Sequence, residues 1–202
     1  MNIKTIFAAI VLTFSAVAAS AGSFSIREYT NGNKFISFYG DIVESDIKRL
    51  QQIIRLNPNV GIIQLHSEGG DVDAGWEMAR IIRDSGLNTA VGDNAICASA
   101  CTYMFVGGTT RYNHKNARIG FHPVTVTNWG DAEDYTKNEI YDIGQASGLE
   151  AAVNYLRYVD AGKEWDAILF IDWIYQNIWH YEMHWATSAE LINSGISHQQ
   201  YG

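Results

Sequence analysis

Two periods of apolar residues alternate along this chain, and the switches between them mark out its elements. Lys34-Phe35-Ile36-Ser37-Phe38-Tyr39 is dense in aromatic and β-branched residues and stops at Gly40-Asp41, which predicts a strand and a turn. From Ser45 the apolar positions Ile47, Leu50, Ile53, Ile54 and Leu56 fall at helical spacing until Asn57-Pro58-Asn59 ends the run. Val60-Gly61-Ile62-Ile63-Gln64-Leu65 is nearly continuous, as in a parallel strand covered on both faces. A second helix places Trp76, Met78, Ala79, Ile81 and Ile82 on its core face, with Asp71 or Asp73 as cap and Ser85-Gly86 as stop. Leu87 to Val91 predicts another strand. After Asp93-Asn94-Ala95-Ile96 a helix around Ser99 runs to Gly107-Gly108, and Ala117-Arg118-Ile119-Gly120-Phe121 predicts one more strand. Asp131 to Trp179 is mostly helical in pattern and rich in aromatics, and Thr187-Ser188-Ala189-Glu190 has capping-box form ahead of a short helix closed by Gly195.

Strands alternating with helices predict a layered α/β fold. In open α/β sheets ligands sit beyond the carboxyl ends of the strands, which is where this pattern puts Gly70, Ser99 and His122. The length of 202 residues suits one domain with a full core. Lys4, the apolar run Ile6 to Val17 and the small residues Ala19-Ser20-Ala21 have the order of a secretory signal peptide. The expected division is therefore a signal peptide over residues 1–21 and a single domain over 22–202, located in the periplasm or secreted, with no transmembrane segment in the mature chain.

Charge narrows the partners. Acidic side chains number 22 against 14 basic ones, of which Lys4 leaves with the signal peptide, and this balance argues against nucleic acid as a partner. An exported chain with two cysteines can join Cys97 to Cys101. In a regular helix residues four apart have Cβ atoms about 5–6 Å apart, more than the roughly 3.5–4.5 Å of a disulfide. Bonding requires Cys97 to precede the helix; two buried free thiols are the alternative.

Candidate chemistry centres on Cys97-Ala98-Ser99-Ala100-Cys101, where a polar loop turns into an apolar helix. Taken singly, Ser99 reads as a helix cap, Gly69-Gly70 as a turn and His122 as a strand-end residue. Together, they supply what nucleophilic catalysis requires: a hydroxyl, a base and bare backbone donors for an oxyanion. Two rivals are weaker. His180 and His184 share a helical spacing, but the Glu that follows the first histidine in zinc-binding helices is absent and no third ligand is indicated. Cys101, two positions beyond Ser99 on a helix, points to a different side.

With these residues in view, the chain resembles the Clp protease proteolytic subunit (ClpP) of the crotonase-like superfamily, and more closely the exported ClpP-like proteins of Gram-negative bacteria. The likeness covers roughly Phe35 to Pro123 and returns at Thr187 to Ile196. The family's glycine pair precedes its nucleophilic serine by the interval of 29 that separates Gly70 from Ser99, and Phe121-His122-Pro123 matches the stretch that carries its base. The resemblance implies a ClpP/crotonase-like fold of repeated strand-strand-helix units, here with extra C-terminal helices. It implies a serine-type endopeptidase with Ser99 as nucleophile, His122 as base, the amides of Gly70 and Ala100 as oxyanion hole, no cofactor and no metal. Peptides or unfolded segments are the implied substrates, a homo-oligomer the implied assembly, and no ATPase partner is expected outside the cytoplasm. The pattern departs at the third triad member: His184 stands four residues before Ser188-Ala189, where the family usually has aspartate. Glu182 is the nearest acid, Asp172 and Asp166 lie farther back, and a Ser-His dyad or a noncatalytic binding and assembly module are the other readings.

Overall fold

The structure is a computed structural model that describes residues 21–122 and 183–202. Its elements run β1 (Ser23–Glu28), β2 (Lys34–Tyr39), α1 (Ser45–Leu56), β3 (Ile62–His66), α2 (Val72–Asp84), β4 (Asn88–Val91), β5 (Ile96–Ala98), α3 (Ala100–Gly107), β6 (Arg111–His114), β7 (Arg118–Phe121), β8 (His184–Ala186), α4 (Ser188–Asn193) and β9 (Gln199–Tyr201). Residues 1–20 of the expected signal peptide, Pro123, the stretch after it expected to be helical, with Asp166 and Asp172, and His180 and Glu182 lie outside the described residues.

Six strands form one sheet in the order β1-β2-β3-β4-β6-β9, and β5-β7-β8 form a second. All pairings in the larger sheet are parallel except β1 with β2. In the smaller sheet β5 and β7 are parallel while β7 and β8 are antiparallel. Alternation on β2 and β3 sends Ile36, Phe38, Ile63 and Leu65 into the core, each at most 1% exposed, while Ser37 and Gln64 face the other way. The core is completed by Leu50 from α1, Met78, Ala79 and Ile82 from α2, and Met104, Phe105 and Val106 from α3. α3 is buried along its whole length, so its apolar sequence reflects burial on every side.

Among the described residues, the helices expected from Ser45, after Asp71, after Ser99 and after Thr187, and the strands β2, β3, β4 and β7, are present at close to the expected bounds. Asp71, not Asp73, caps α2, its carboxylate accepting the Ala74 N–H at 2.7 Å. Ile96 belongs to the strand β5 rather than to the loop before the Ser99 helix. The two sheets meet where the backbone beyond β3 pairs with β5: Ser67 N donates to Ile96 O at 2.8 Å, and Ala98 N donates to Ser67 O at 3.0 Å. This junction brings the Gly69-Gly70 segment alongside Ser99.

Candidate active site

One residue separates β5 from α3, and it is Ser99. Its backbone has φ 54° and ψ −127°, and the only other non-glycine residue with positive φ among the described residues is Asn94. Holding an L side chain there costs on the order of 1–3 kcal/mol. A sharp strand-to-helix turn of this kind lifts a side chain clear of both elements, as in nucleophile elbows. The surroundings hold the turn from both sides. Ser99 N donates to Gly120 O at 3.0 Å, and the Ser99 carbonyl accepts from Thr102 N at 2.9 Å and Thr102 Oγ1 at 2.7 Å.

A disulfide joins Cys97 in β5 to Cys101 in the first turn of α3, with Cα atoms 5.2 Å apart. Cys97 precedes the helix, as bonding required, and the break in helical geometry at Ser99 lets the two sulfurs meet. Both cysteines are fully buried. The bridge therefore spans Ser99 and ties together the strand and helix that present it.

The glycine pair lies against this turn. A Cβ on Gly69 would stand 2.7 Å from Ser99 Cβ and 3.1 Å from Ala100 N, and Gly69 itself has φ 113°. Only glycine fits there. Ile42 fixes the segment from its other side, its N–H donating to Gly69 O at 2.8 Å and its carbonyl accepting from Asp71 N at 2.9 Å. Successive backbone groups of an extended segment alternate in direction, so the N–H of Gly70 lies on the edge opposite Ile42. Gly70 is also exposed. Ala100 is the first residue of α3, where the N–H has no partner within the helix and the helix dipole favours negative charge. The pairing with Ile42 thus does not use the N–H of Gly70, and the hydrogen bonds within α3 do not use that of Ala100.

His122 follows the last residue of β7. The pairing of Ala98 with Gly120 places Ser99 and His122 beyond the carboxyl ends of adjacent parallel strands, which run about 4.8 Å apart. Both side chains are half-buried. Ser99 Oγ makes no hydrogen bond to another described residue, and catalytic hydrogen bonds in unliganded sites are often long. The topology therefore brings Ser99 and His122 to one edge without joining them.

His184 lies on β8, opposite Phe121, the residue before His122. Its Nε2 is 3.1 Å from Glu190 Oε1. The other oxygen of that carboxylate, Oε2, accepts from Thr187 N at 2.6 Å and Thr187 Oγ1 at 2.7 Å, completing the capping box of α4. Burial raises the Glu190 pKa, but the Thr187 hydrogen bonds and the adjacent His184 outweigh it and hold the carboxyl below its ordinary value. The sequence pattern gives Glu190 the cap role alone. The signal for the second role was the spare oxygen, since a capping box needs only one. Among the described residues no group of three His, Cys, Asp or Glu is arranged to hold a metal.

No family model matches the chain, and no curated protein matches it. Solved structures do. A point mutant of ClpP1 from Listeria monocytogenes superposes with a TM-score of 0.59 at 17% identity, covering 83% of this chain and 90% of that one. ClpP1 from Listeria monocytogenes itself gives a TM-score of 0.57 at 14% identity, with the same 83% and 90% coverage. Identities this low speak to the fold and not to the chemistry. Strand order, the junction of the two sheets and these superpositions lead to one conclusion: this chain has a ClpP-like fold.

Proposed function

We propose that the protein is an exported, ATP-independent serine-type peptidase acting on peptides or unfolded segments, and that it works as a homo-oligomer. The observation that supports this reading is the left-handed Ser99 between β5 and α3, a conformation that costs stability and lies against the Gly69-Gly70 segment. Ser99 Oγ attacks the substrate carbonyl as its proton passes to the His122 imidazole. The oxyanion takes hydrogen bonds from the N–H groups of Gly70 and Ala100, each worth about 2.7–4 kcal/mol of transition-state stabilisation. His122 then protonates the leaving amine, and water, deprotonated by the same imidazole, releases the acyl group. In this reading Glu182 orients His122.

Support for the fold comes from the superpositions; support for the chemistry comes from the backbone around Ser99. The experiment is cleavage of an unfolded protein and of a peptide library by the mature chain without ATP, with Ser99→Ala as control. Cleavage lost in that variant is the expected result. A noncatalytic assembly module, favoured by His184 standing where the family has its aspartate, predicts no cleavage by either.

A further inference from the structure

We propose that processing cuts the chain between Ala21 and Gly22, and that the α-ammonium so formed seats on the buried carboxylate of Asp46 as an N-terminal anchoring site of the mature protein. Two independent observations meet at this bond. In the sequence, Lys4, the apolar run to Val17 and the small residues Ala19 and Ala21 direct a signal-peptide cut to the bond after Ala21. In the structure, the nitrogen that this cut would free already donates to Asp46 Oδ2 at 3.2 Å.

Asp46 has a side chain with no solvent exposure, and its surroundings are built around Gly22. Oδ2 also accepts from Val43 N at 3.1 Å, and Oδ1 pairs with Arg49 Nη1 at 2.7 Å. Arg49 Nη1 donates in addition to the Gly22 carbonyl. Gly22 is itself buried, and a Cβ there would lie 2.3 Å from the Phe38 ring and 2.9 Å from the Asp41 carbonyl. No larger first residue fits this position. A start at Ser20 would leave only a neutral amide at this nitrogen, and a start at Ser23 would remove the donor.

Hydrolysis consumes one water and leaves a carboxylate on Ala21, which departs with the leader, and an amine on Gly22, which protonates. One neutral N–H donor becomes a three-proton cation at the same atom. Charge-assisted bonds of this kind are roughly twice as strong as neutral ones. The nearby charges are Asp46 and Arg49 on α1 and Asp41 in the turn after β2. Arg49 is 42% exposed and so partly screened by water, which leaves Asp46 able to pair with a second cation. Asp46 also holds Val43, next to Ile42, so the new terminus is tied to the turn that supports Gly69-Gly70.

The test starts from the full-length precursor, exported from a bacterial host and purified as the mature protein. Intact mass identifies the first residue. An amine-specific acylating reagent, applied to the native protein and to the same protein in urea, then reports the state of the α-amine by peptide mapping. The expected result is a chain that begins at Gly22 and whose α-amine acylates at least about tenfold more slowly when native, because only the deprotonated amine reacts and one pKa unit is a factor of ten. Asp46→Asn should remove that protection; if this variant does not fold, the native-versus-urea comparison on the wild type decides alone. A chain that starts at any other residue, or an α-amine equally reactive in both states, overturns the proposal. Neither readout depends on peptidase activity.

Discussion

A β-carbon on Gly69 would come within 2.7 Å of the Cβ of Ser99, so the backbone of one residue and the side chain of the other occupy adjoining space with nothing to spare. Gly69→Ala must displace either Ser99 or the peptide that carries the Gly70 N–H, and it also forces φ 113° on a residue with a Cβ. A stability loss of about 1–3 kcal/mol is expected from the backbone strain. Reaction of Ser99 with a fluorophosphonate should fall much further than the melting temperature does. Thermal melts and labelling rates on one preparation check this, and unchanged labelling would mean that Gly69 does not shape the site.

The Cys97–Cys101 bridge spans Ser99, so its removal should affect the turn before it affects the core. The unreduced protein is expected to contain no free thiol in denaturant. Replacing both cysteines with Ala leaves small apolar residues in place, and a bridge across so short a loop contributes less than the roughly 3 kcal/mol expected for a 15-residue loop. The folded double variant should label more slowly at Ser99 than the wild type. A wild-type rate would show that the hydrogen bonds of Ser99 to Gly120 and Thr102 hold the turn without the disulfide.

Ser99→Ala and His122→Ala should each remove nearly all cleavage, and the double variant should be little worse than either, because members of one catalytic unit are strongly non-additive. Glu182→Gln separates triad from dyad: a large loss in kcat with the fold intact supports an orienting carboxylate at Glu182, and unchanged kcat assigns the reaction to Ser99 and His122 alone.

Glu190 gives the fold a pH dependence of defined sign. Its folded pKa lies below its ordinary value of 4.5, so the stability it contributes is present in full above that value and is lost as pH falls through the lower folded pKa. Melting temperatures of wild type and Glu190→Gln should differ most near neutrality and converge as pH falls below 4.5. A gap that does not narrow in acid would show that the carboxylate's charge contributes nothing through Thr187 and His184.

Much of this architecture is legible in the residues because local signals and burial agree: the amphipathic α1 and α2, the apolar β3 and the capping box at Thr187 all appear where expected. β5 and β8 were not, since three residues carry too little pattern to show that they complete a second sheet. β1 alternates exposed and half-buried positions at a sheet edge and gives a weak signal for the same reason. For the site, the order of Gly70, Ser99 and His122 could be read directly. The left-handed backbone of Ser99 could not, because it arises from the disulfide, the Gly120 carbonyl and Gly69 acting together across the sheet junction.

The central claim is that Ser99 is an activated nucleophile, and active-site labelling tests it most directly. The mature wild-type protein is incubated with a fluorophosphonate, and the modified residue is identified by peptide mass mapping. The account predicts one adduct, on Ser99, lost in unfolded protein and strongly slowed by His122→Ala. A folded wild-type protein that forms no adduct, or forms it on another residue, would contradict it.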